Sequence, residues 1–372
     1  MSSAPVLPDA VRHRRMRAQR LDDLARTDGA DAAAIVRAAG GIQAQDMRAA
    51  VLGVAIRGEG TQAGTAAIAS ARERDRTIVR TWCMRGTLHL VPADLLPGLL
   101  AVFGPISIAR GRRRLAALGL DDDASARGVA IIGDVLAGRA PHTRHEIAAA
   151  VGRRIPSLNL RGQAPIHLVR RACLAGVACE VGSRDGQPVY GLRRDWFPDP
   201  APAPQRSDAL GDLGRWYIDG FGPASRDDLA TWSGLPAADV RRAWDQIDDL
   251  VELHPDLWIR GPDPAAPAPP DPATVRLVPA FDSYLLGYRR RDHAVAPEHR
   301  MRVHPGGGVI RPTVLVDGFV AGTWTIQRSA TKARLVIATF SGVPGVPMSA
   351  LDAEVARVSA ALEVDLTLAM VG

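Results

Sequence analysis

A twelve-residue pattern occurs twice in the chain, 82 residues apart: PHTRHEIAAAVG at 141–152 and PASRDDLATWSG at 223–234. The copies share a proline, a hydroxyl residue, an arginine, an acid, an aliphatic residue, an alanine and a closing glycine. Thr143 and Ser225 are placed to cap a helix, and the acids three residues on, Glu146 and Asp228, complete a capping box. Ile147 and Leu229 point inward, and Gly152 and Gly234 end a short helix. A second helix follows each copy. It lies near 162–175 in the first, with Ile166, Val169 and Cys173 at helical spacing, and near 236–247 in the second, with Val240, Trp244 and Ile247. Two short apolar strands, 177–181 and 189–192, then form a hairpin across a Gly/Asp loop, and LVELHPDLWIR (250–260) repeats this in shorter form. Helix, helix, hairpin is the winged-helix pattern. A third, more diverged copy is expected at the N-terminus, with helices at 9–27 and 31–39, the run RTIVRTWCMRGTLHLVP broken at Arg85-Gly86, and an arginine-rich helix over 105–118.

Two segments rich in proline and alanine, 197–208 and 260–274, can hold neither a helix nor a central strand and read as linkers. Beyond the second, TVRLVPAFDSYLLGY, TVLVDGFVAGTWTIQ and ARLVIATF are strand-like, and Asp317-Gly318 is a two-residue turn. With the closing helix SALDAEVARVSAALEVDL they predict a small antiparallel β-barrel or sandwich, with the barrel preferred. The expected fold class is therefore α+β: tandem winged-helix units over 1–118, 119–200 and 205–262, then an antiparallel barrel over 272–372.

Hydrophobic residues make up 47% of the 372, which suits a globular chain of several domains. No window approaches 18 uncharged apolar residues, so no membrane span is expected, and the basic N-terminus lacks an apolar signal core. A cytoplasmic, nucleoid-associated protein follows. The three cysteines, Cys83, Cys173 and Cys179, form no C-x-x-C pair, and Cys83 and Cys173 read as core. The net charge is +6, and all of the positive side-chain charge is arginine apart from Lys332 and the histidines. Guanidinium groups make bidentate contacts to phosphate, so clusters such as Arg112, Arg113 and Arg114, or Arg289, Arg290 and Arg291, point to duplex DNA. A solvated helix face accounts for any single cluster equally well.

Conventional catalytic signatures are sparse: there is no P-loop, no G-x-S-x-G and no G-x-G-x-x-G between strand and helix. His142 and His145 near Glu146 have the wrong order for a zinc motif, and capping explains them, so no metal is expected. Arg85 and His89 flank a turn, and His89 reads as a satisfied core histidine. The segment GGIQAQDM, Gly40 to Met47, is unusual. In an extended stretch Gln43 and Gln45 project together while Ala44 turns into the core. Two carboxamides offer donors and acceptors but no strong acid or base. Asp46 alternates away from them.

The blocks RTWCMRGTLHLVPADL, FGPASRDDLATWSGL, PAFDSYLLGYRRRD and VLVDGFVAGTW resemble the AlkZ family of bacterial DNA glycosylases, in the right order over nearly the whole chain. The resemblance implies tandem winged helices, a C-terminal barrel and a Gln-apolar-Gln active-site motif, matched here by Gln43-Ala44-Gln45. It implies a glycosylase that acts on double-stranded DNA carrying an N7-alkylated purine, with bulky adducts or interstrand crosslinks as substrates and self-resistance to a DNA-alkylating natural product as a role. The only lysine, Lys332, lies far in sequence from the motif, so a monofunctional enzyme without lyase activity is expected. Gln43 and Gln45 are then the catalytic candidates, with Asp46, Arg85 and His89 as secondary ones. No cofactor and a monomeric state are expected. The alternative is a winged-helix DNA-binding protein without catalysis, such as a transcription regulator.

Overall fold

The computed structural model of the chain describes residues 9–26, 29–59, 64–158, 160–198, 203–262, 273–329 and 332–371. The centres of both proposed linkers, 199–202 and 263–272, lie outside the described residues. The fold is α+β. By their contacts the local stretches gather into two compact units, Met1–Ile68 with Gly214–Gly372, and Ala69–Leu213.

In the unit Ala69–Leu213, strands Ile78–Trp82 and Leu88–Pro92 form an antiparallel hairpin. The chain reverses through Arg85 and Gly86, with φ of 54° and 73°. The helix after it is Leu96–Ala117, which starts well before the expected residue 105 and runs through Pro105. Leu99, Val102 and Phe103 are buried before that proline, and Gly104 passes so close to the Leu174 carbonyl that a Cβ would sit 2.6 Å from it. Packing of this face outweighs the one backbone bond a proline removes. By length and composition alone the stretch Ala93–Ala117 is apolar enough to cross a membrane, a test that the core helix of a soluble protein also passes. Part of that apolar stretch serves instead as a packed face inside this unit.

The first repeat starts as its spacing predicts. Helix Arg144–Arg154 starts at a capping box: Thr143 N donates to Glu146 at 2.7 Å, and Glu146 N donates to Thr143 Oγ1 at 3.3 Å. Gly152 does not end this helix; it lies inside it, and the stop comes at Ile155, because Gly152 never needs the left-handed conformation that a glycine cap supplies. Helix Ala164–Leu174 and the hairpin Ala178–Arg184 with Gln187–Leu192 follow. A further helix, Asp122–Leu136, capped by Asp121, was not foreseen. Ile132, Leu136, Ile147, Val151, Leu168, Val169 and Cys173 share one core with Trp82 and Tyr190.

In the other unit, helix Arg226–Ser233 begins at the second capping box, with Ser225 N to Asp228 at 3.0 Å and Asp228 N to Ser225 Oγ at 3.1 Å. Here the glycine does end the helix: Gly234 is left-handed with φ 70°. Helix Ala237–Asp245 and the hairpin Leu250–His254 with Leu257–Arg260 complete the order. Val240 and Ile247 are buried as expected, but Trp244 is only half-buried.

The expected closed antiparallel barrel is instead an open, mixed five-stranded sheet. Strands Val275–Val278, Thr313–Val316, Phe319–Arg328 and Ala333–Thr339 run antiparallel through the Asp317-Gly318 turn, whose φ values are 49° and 78°. The fifth, Leu366–Val371, pairs parallel with Ala333–Thr339. The chain between them forms helix Met348–Leu362, and a helical crossover delivers the next strand in parallel. Leu351, Val355 and Val358 of that helix pack on Leu277, Val314, Leu335 and Ile337 in one core. The strand-like reading of 274–288 was also too long: the strand stops at Val278, and Asp282 caps the short helix Ser283–Leu286.

Candidate active site

The segment from Ala39 to Asp46 is held from below by buried polar groups of its own unit. Gly40 and Gly41 have φ of 64° and 81°, a conformation side chains resist. Gly40 is also in close packing, since a Cβ there would lie 2.3 Å from the Phe221 ring. Gln19, fully buried, donates to the Ala39 carbonyl at 3.3 Å and to the Gly220 carbonyl. Ser283 Oγ donates to the Gly41 carbonyl at 2.8 Å. Behind these, Arg57 donates to both oxygens of Asp282, at 2.8 and 2.7 Å, and to the backbone oxygens of Gln19 and Gly53 at 2.9 and 2.8 Å. Asp282 in turn accepts from Tyr284 N at 2.9 Å. The glycine pair lets the chain turn, and this network fixes where it goes next.

What it presents is the glutamine pair. Ala44 is fully buried, as the alternation requires, and the side chains on either side meet: Gln43 Nε2 donates to Gln45 Oε1 at 3.3 Å. The two are not equivalent. Gln43 is buried, 8% exposed, while Gln45 is open to solvent. Accepting a hydrogen bond at its oxygen polarises the Gln45 amide and makes its NH2 group a better donor. An inner carboxamide therefore orients an outer one, which can hold a water or a polar edge. Asp46, beside them, accepts from Arg48 N at 2.9 Å and Ala49 N at 3.4 Å, as the N-cap of helix Met47–Ala55.

Arg85 and His89 belong to the other unit and are close to each other, with Arg85 Nη2 3.5 Å from His89 Nε2. His89 is buried, and its Nδ1 lies 3.2 Å from the Thr87 carbonyl. Burial, then the Arg85 charge, pushes its pKa down to about 3, so the ring is neutral at neutral pH. It has the environment of a satisfied core histidine.

The arginine clusters divide. Arg112, Arg113 and Arg114 are exposed near the end of helix Leu96–Ala117, with Arg112 on Asp122 at 3.1 Å and Arg114 on Gln163. Arg289 and Arg290 are exposed and paired with Asp227 and Asp292, but Arg291 is half-buried and donates to the Leu285 carbonyl at 2.7 Å. The N-terminal cluster is not a solvated face throughout. Arg12 and Arg15 donate to the Asp317 and Pro223 carbonyls at 2.9 and 2.8 Å, and Arg20 to the Arg57 carbonyl at 3.3 Å.

Residues 36–361 match the family described as DNA glycosylase AlkZ-like. The chain belongs to that family. Over 342 residues, 86% of this chain and 88% of the other, it is 30% identical to a Streptomyces sahachiroi protein named as an interstrand DNA cross-link repair glycosylase. The solved structure of Streptomyces sahachiroi DNA glycosylase AlkZ shares its fold, with a TM-score of 0.80, 24% identity and coverage of 98% of this chain and 99% of that one. This AlkZ-like chain is accordingly a DNA glycosylase, a hydrolase of N-glycosyl bonds, and the non-catalytic regulator is set aside. Sequence reasoning singled out the glutamines as candidates but not the groups that hold their segment, Gln19, Arg57, Asp282 and Ser283. The available signal was a lone arginine closing the apolar run VLGVAIR, and Asp-Ser within PAFDSYLLGY.

Proposed function

We propose that this glycosylase excises N7-alkylated purines from double-stranded DNA, bulky adducts and interstrand crosslinks included, with Gln43 and Gln45 as its catalytic residues. The observation that carries the reading is the Gln43–Gln45 hydrogen bond, on a segment fixed by the buried Arg57–Asp282 network. Alkylation at N7 makes guanine cationic, so N9 leaves with the C1′–N9 electron pair as a neutral base and needs no strong acid. What remains is to place a water against C1′ and to stabilise the oxocarbenium-like sugar with preorganised dipoles. The second lone pair of Gln45 Oε1 is the negative dipole end that can accept from that water and face the cationic sugar, and the water's proton passes to solvent as the C1′–O bond forms. The name of the Streptomyces sahachiroi relative supports crosslinked DNA as a substrate, and self-resistance in the producer of an alkylating compound is the matching role.

The helix–helix–hairpin stretches are read as winged helices on the duplex, the first from residue 1 to 118, then 119–200 and 205–262. Arg112, Arg113, Arg114, Arg289 and Arg290 serve phosphate contacts. Asp46, Arg85 and His89 remain secondary, their side chains being occupied by a cap and by each other. The enzyme acts as a monomer in the cytoplasm. The test is incubation with duplex DNA containing N7-methylguanine, scoring alkali-labile abasic sites. Wild type should produce them and the Gln43→Ala/Gln45→Ala double variant should not, while both bind the duplex. Equal excision by the two proteins would remove the site assignment.

A further inference from the structure

A cavity of about 750 Å³ lies beside the start of helix Arg226–Ser233, walled entirely by residues of one unit; the reading above uses only Arg289 and Arg290 of its lining and gives Arg15, Arg226 and His254 no role. That volume falls within the range of small-ligand sites. Arg15, Arg226, Arg290 and His254 line it, with the half-buried rings of Trp244 and Trp258. Two of its buried nitrogens, Arg15 Nη1 and His254 Nδ1, have no hydrogen-bond partner among the described residues. Arg15 is only 1% exposed, and it is locked in place: Nε donates to the Pro223 carbonyl at 2.8 Å, and the guanidinium lies 3.9 Å above the Tyr288 ring. A charged group buried this deeply with an unanswered N–H is costly, and such groups call for a partner supplied from outside the chain.

Acids line the cavity too, but most of their capacity is spent. Asp228 accepts from Ser225 N at 3.0 Å and from Arg289 N at 2.8 Å, and its approach to Arg15 Nη2 is 3.7 Å, too long for a hydrogen bond. Asp227 is paired with Arg289. Asp256 sits exposed on the hairpin turn between its two strands. Arg226, by contrast, is exposed at the first position of its helix. Guanidinium donors thus come from two separate elements, the N-terminal helix and the start of helix Arg226–Ser233, and the His254 ring, a donor in its Nδ1–H tautomer, faces them from the hairpin. A planar carboxylate is satisfied by one guanidinium fork, whereas donors spread over three directions suit a tetrahedral oxyanion.

We propose that this cavity is a phosphate-binding site, and that its occupant is a backbone phosphate of the duplex. The choice of DNA as the phosphate source rests on the glycosylase reading; the phosphate chemistry does not. The full-length protein is tested in two arms. In equilibrium dialysis against inorganic phosphate, wild type should bind saturably, and Arg226→Ala and Arg15→Met should bind at least tenfold more weakly. In titrations with unmodified duplex at several salt concentrations, Arg226→Ala should weaken affinity about fivefold or more. It should also lower the slope of log K against log salt by about 0.9, the value for one lost phosphate contact. Arg15 is buried and its replacement can unfold the protein, so melting curves accompany it, and the exposed Arg226 tests the same site independently. A reduced slope supports the DNA backbone as occupant. Phosphate binding lost in Arg226→Ala with an unchanged slope overturns that occupant in favour of a free phosphate. No phosphate binding in wild type together with an unchanged slope overturns the site. Neither arm uses excision, so failure of wild type to release N7-methylguanine would sink the catalytic assignment and leave these results standing.

Discussion

The guanidinium of Arg57 and the carboxylate of Asp282 face each other in two hydrogen bonds, 2.8 Å from Nη1 to Oδ2 and 2.7 Å from Nη2 to Oδ1, with side chains 0% and 1% exposed. The pair joins the helix after the glutamine segment to the block PAFDSYLLGY, and its neighbour Ser283 holds the Gly41 carbonyl. Asp282→Ala leaves a buried charge unpaired and should cost roughly 3–5 kcal/mol in urea unfolding. Ser283→Ala removes one neutral hydrogen bond and should cost only about 1 kcal/mol. Because Ser283 positions the segment rather than touching DNA, its loss should lower the excision rate at saturating enzyme more than duplex affinity. Equal losses in both would assign it a merely structural part.

Gly40 tests whether the glycine pair is needed for conformation or only for space. Its φ is 64°, and a Cβ would lie 2.3 Å from the Phe221 ring, which also packs against Gly287. The left-handed backbone and the overpacking both oppose a side chain. Gly40→Ala should destabilise the protein by about 3 kcal/mol on adding the two effects. Phe221→Leu in the same chain should restore part of that loss. If Gly40→Ala melts with wild type, the segment is mobile enough to move off Phe221 and the preorganisation argument weakens.

Much of this was legible in the sequence because the signals were local. A capping box needs only Thr143 and Glu146, or Ser225 and Asp228, at a spacing of three, and a hairpin turn needs only Asp317-Gly318. The glutamine pair was legible for the same reason, through period-two alternation about Ala44. What failed depended on partners far along the chain. Nothing near Arg57 says that its carboxylate is Asp282, and nothing in the N-terminal arginine run says that Arg12, Arg15 and Arg20 donate to distant backbone oxygens. The barrel failed similarly: strand character was readable, but whether the edges close is decided by where helix Met348–Leu362 delivers the last strand. Pro105 misled because a local rule about helix starts was outweighed by burial of the residues before it.

Acid should destabilise the protein before its carboxylates titrate. His89 and His293 are buried, and burial pushes His89 down to about 3 and His293 well below the ordinary 6.5. Between those values the unfolded chain binds protons that the folded chain refuses. The contribution is fully present above pH 6.5 and is lost as the pH falls toward the folded pKa. Each such histidine adds a slope of about 1.4 kcal/mol per pH unit. Urea midpoints should therefore drop steadily from pH 6.5 to 5, and His89→Gln should flatten part of that fall. Midpoints constant over this window would mean that the rings are protonated in the fold.

The glutamines carry the last prediction. Gln43→Ala removes the donor that polarises Gln45, and Gln45→Ala removes the exposed amide itself. Each should slow excision about a hundredfold, roughly 3 kcal/mol of transition-state stabilisation, with duplex affinity near wild type. Gln45→Glu separates shape from chemistry. It keeps an oxygen for Gln43 Nε2 and supplies a carboxylate that can take a proton from water, so part of the activity should survive. Its rate should also gain an acid limb that wild type lacks, as the new carboxylate becomes protonated. Asp46→Asn is the companion measurement, because asparagine caps a helix about as well as aspartate and leaves stability intact. If Asp46→Asn excises normally while both glutamine-to-alanine variants fail, the carboxylate serves helix Met47–Ala55 and the chemistry belongs to the amides. If the pattern is reversed, Asp46 activates the water and the two glutamines are only its surroundings.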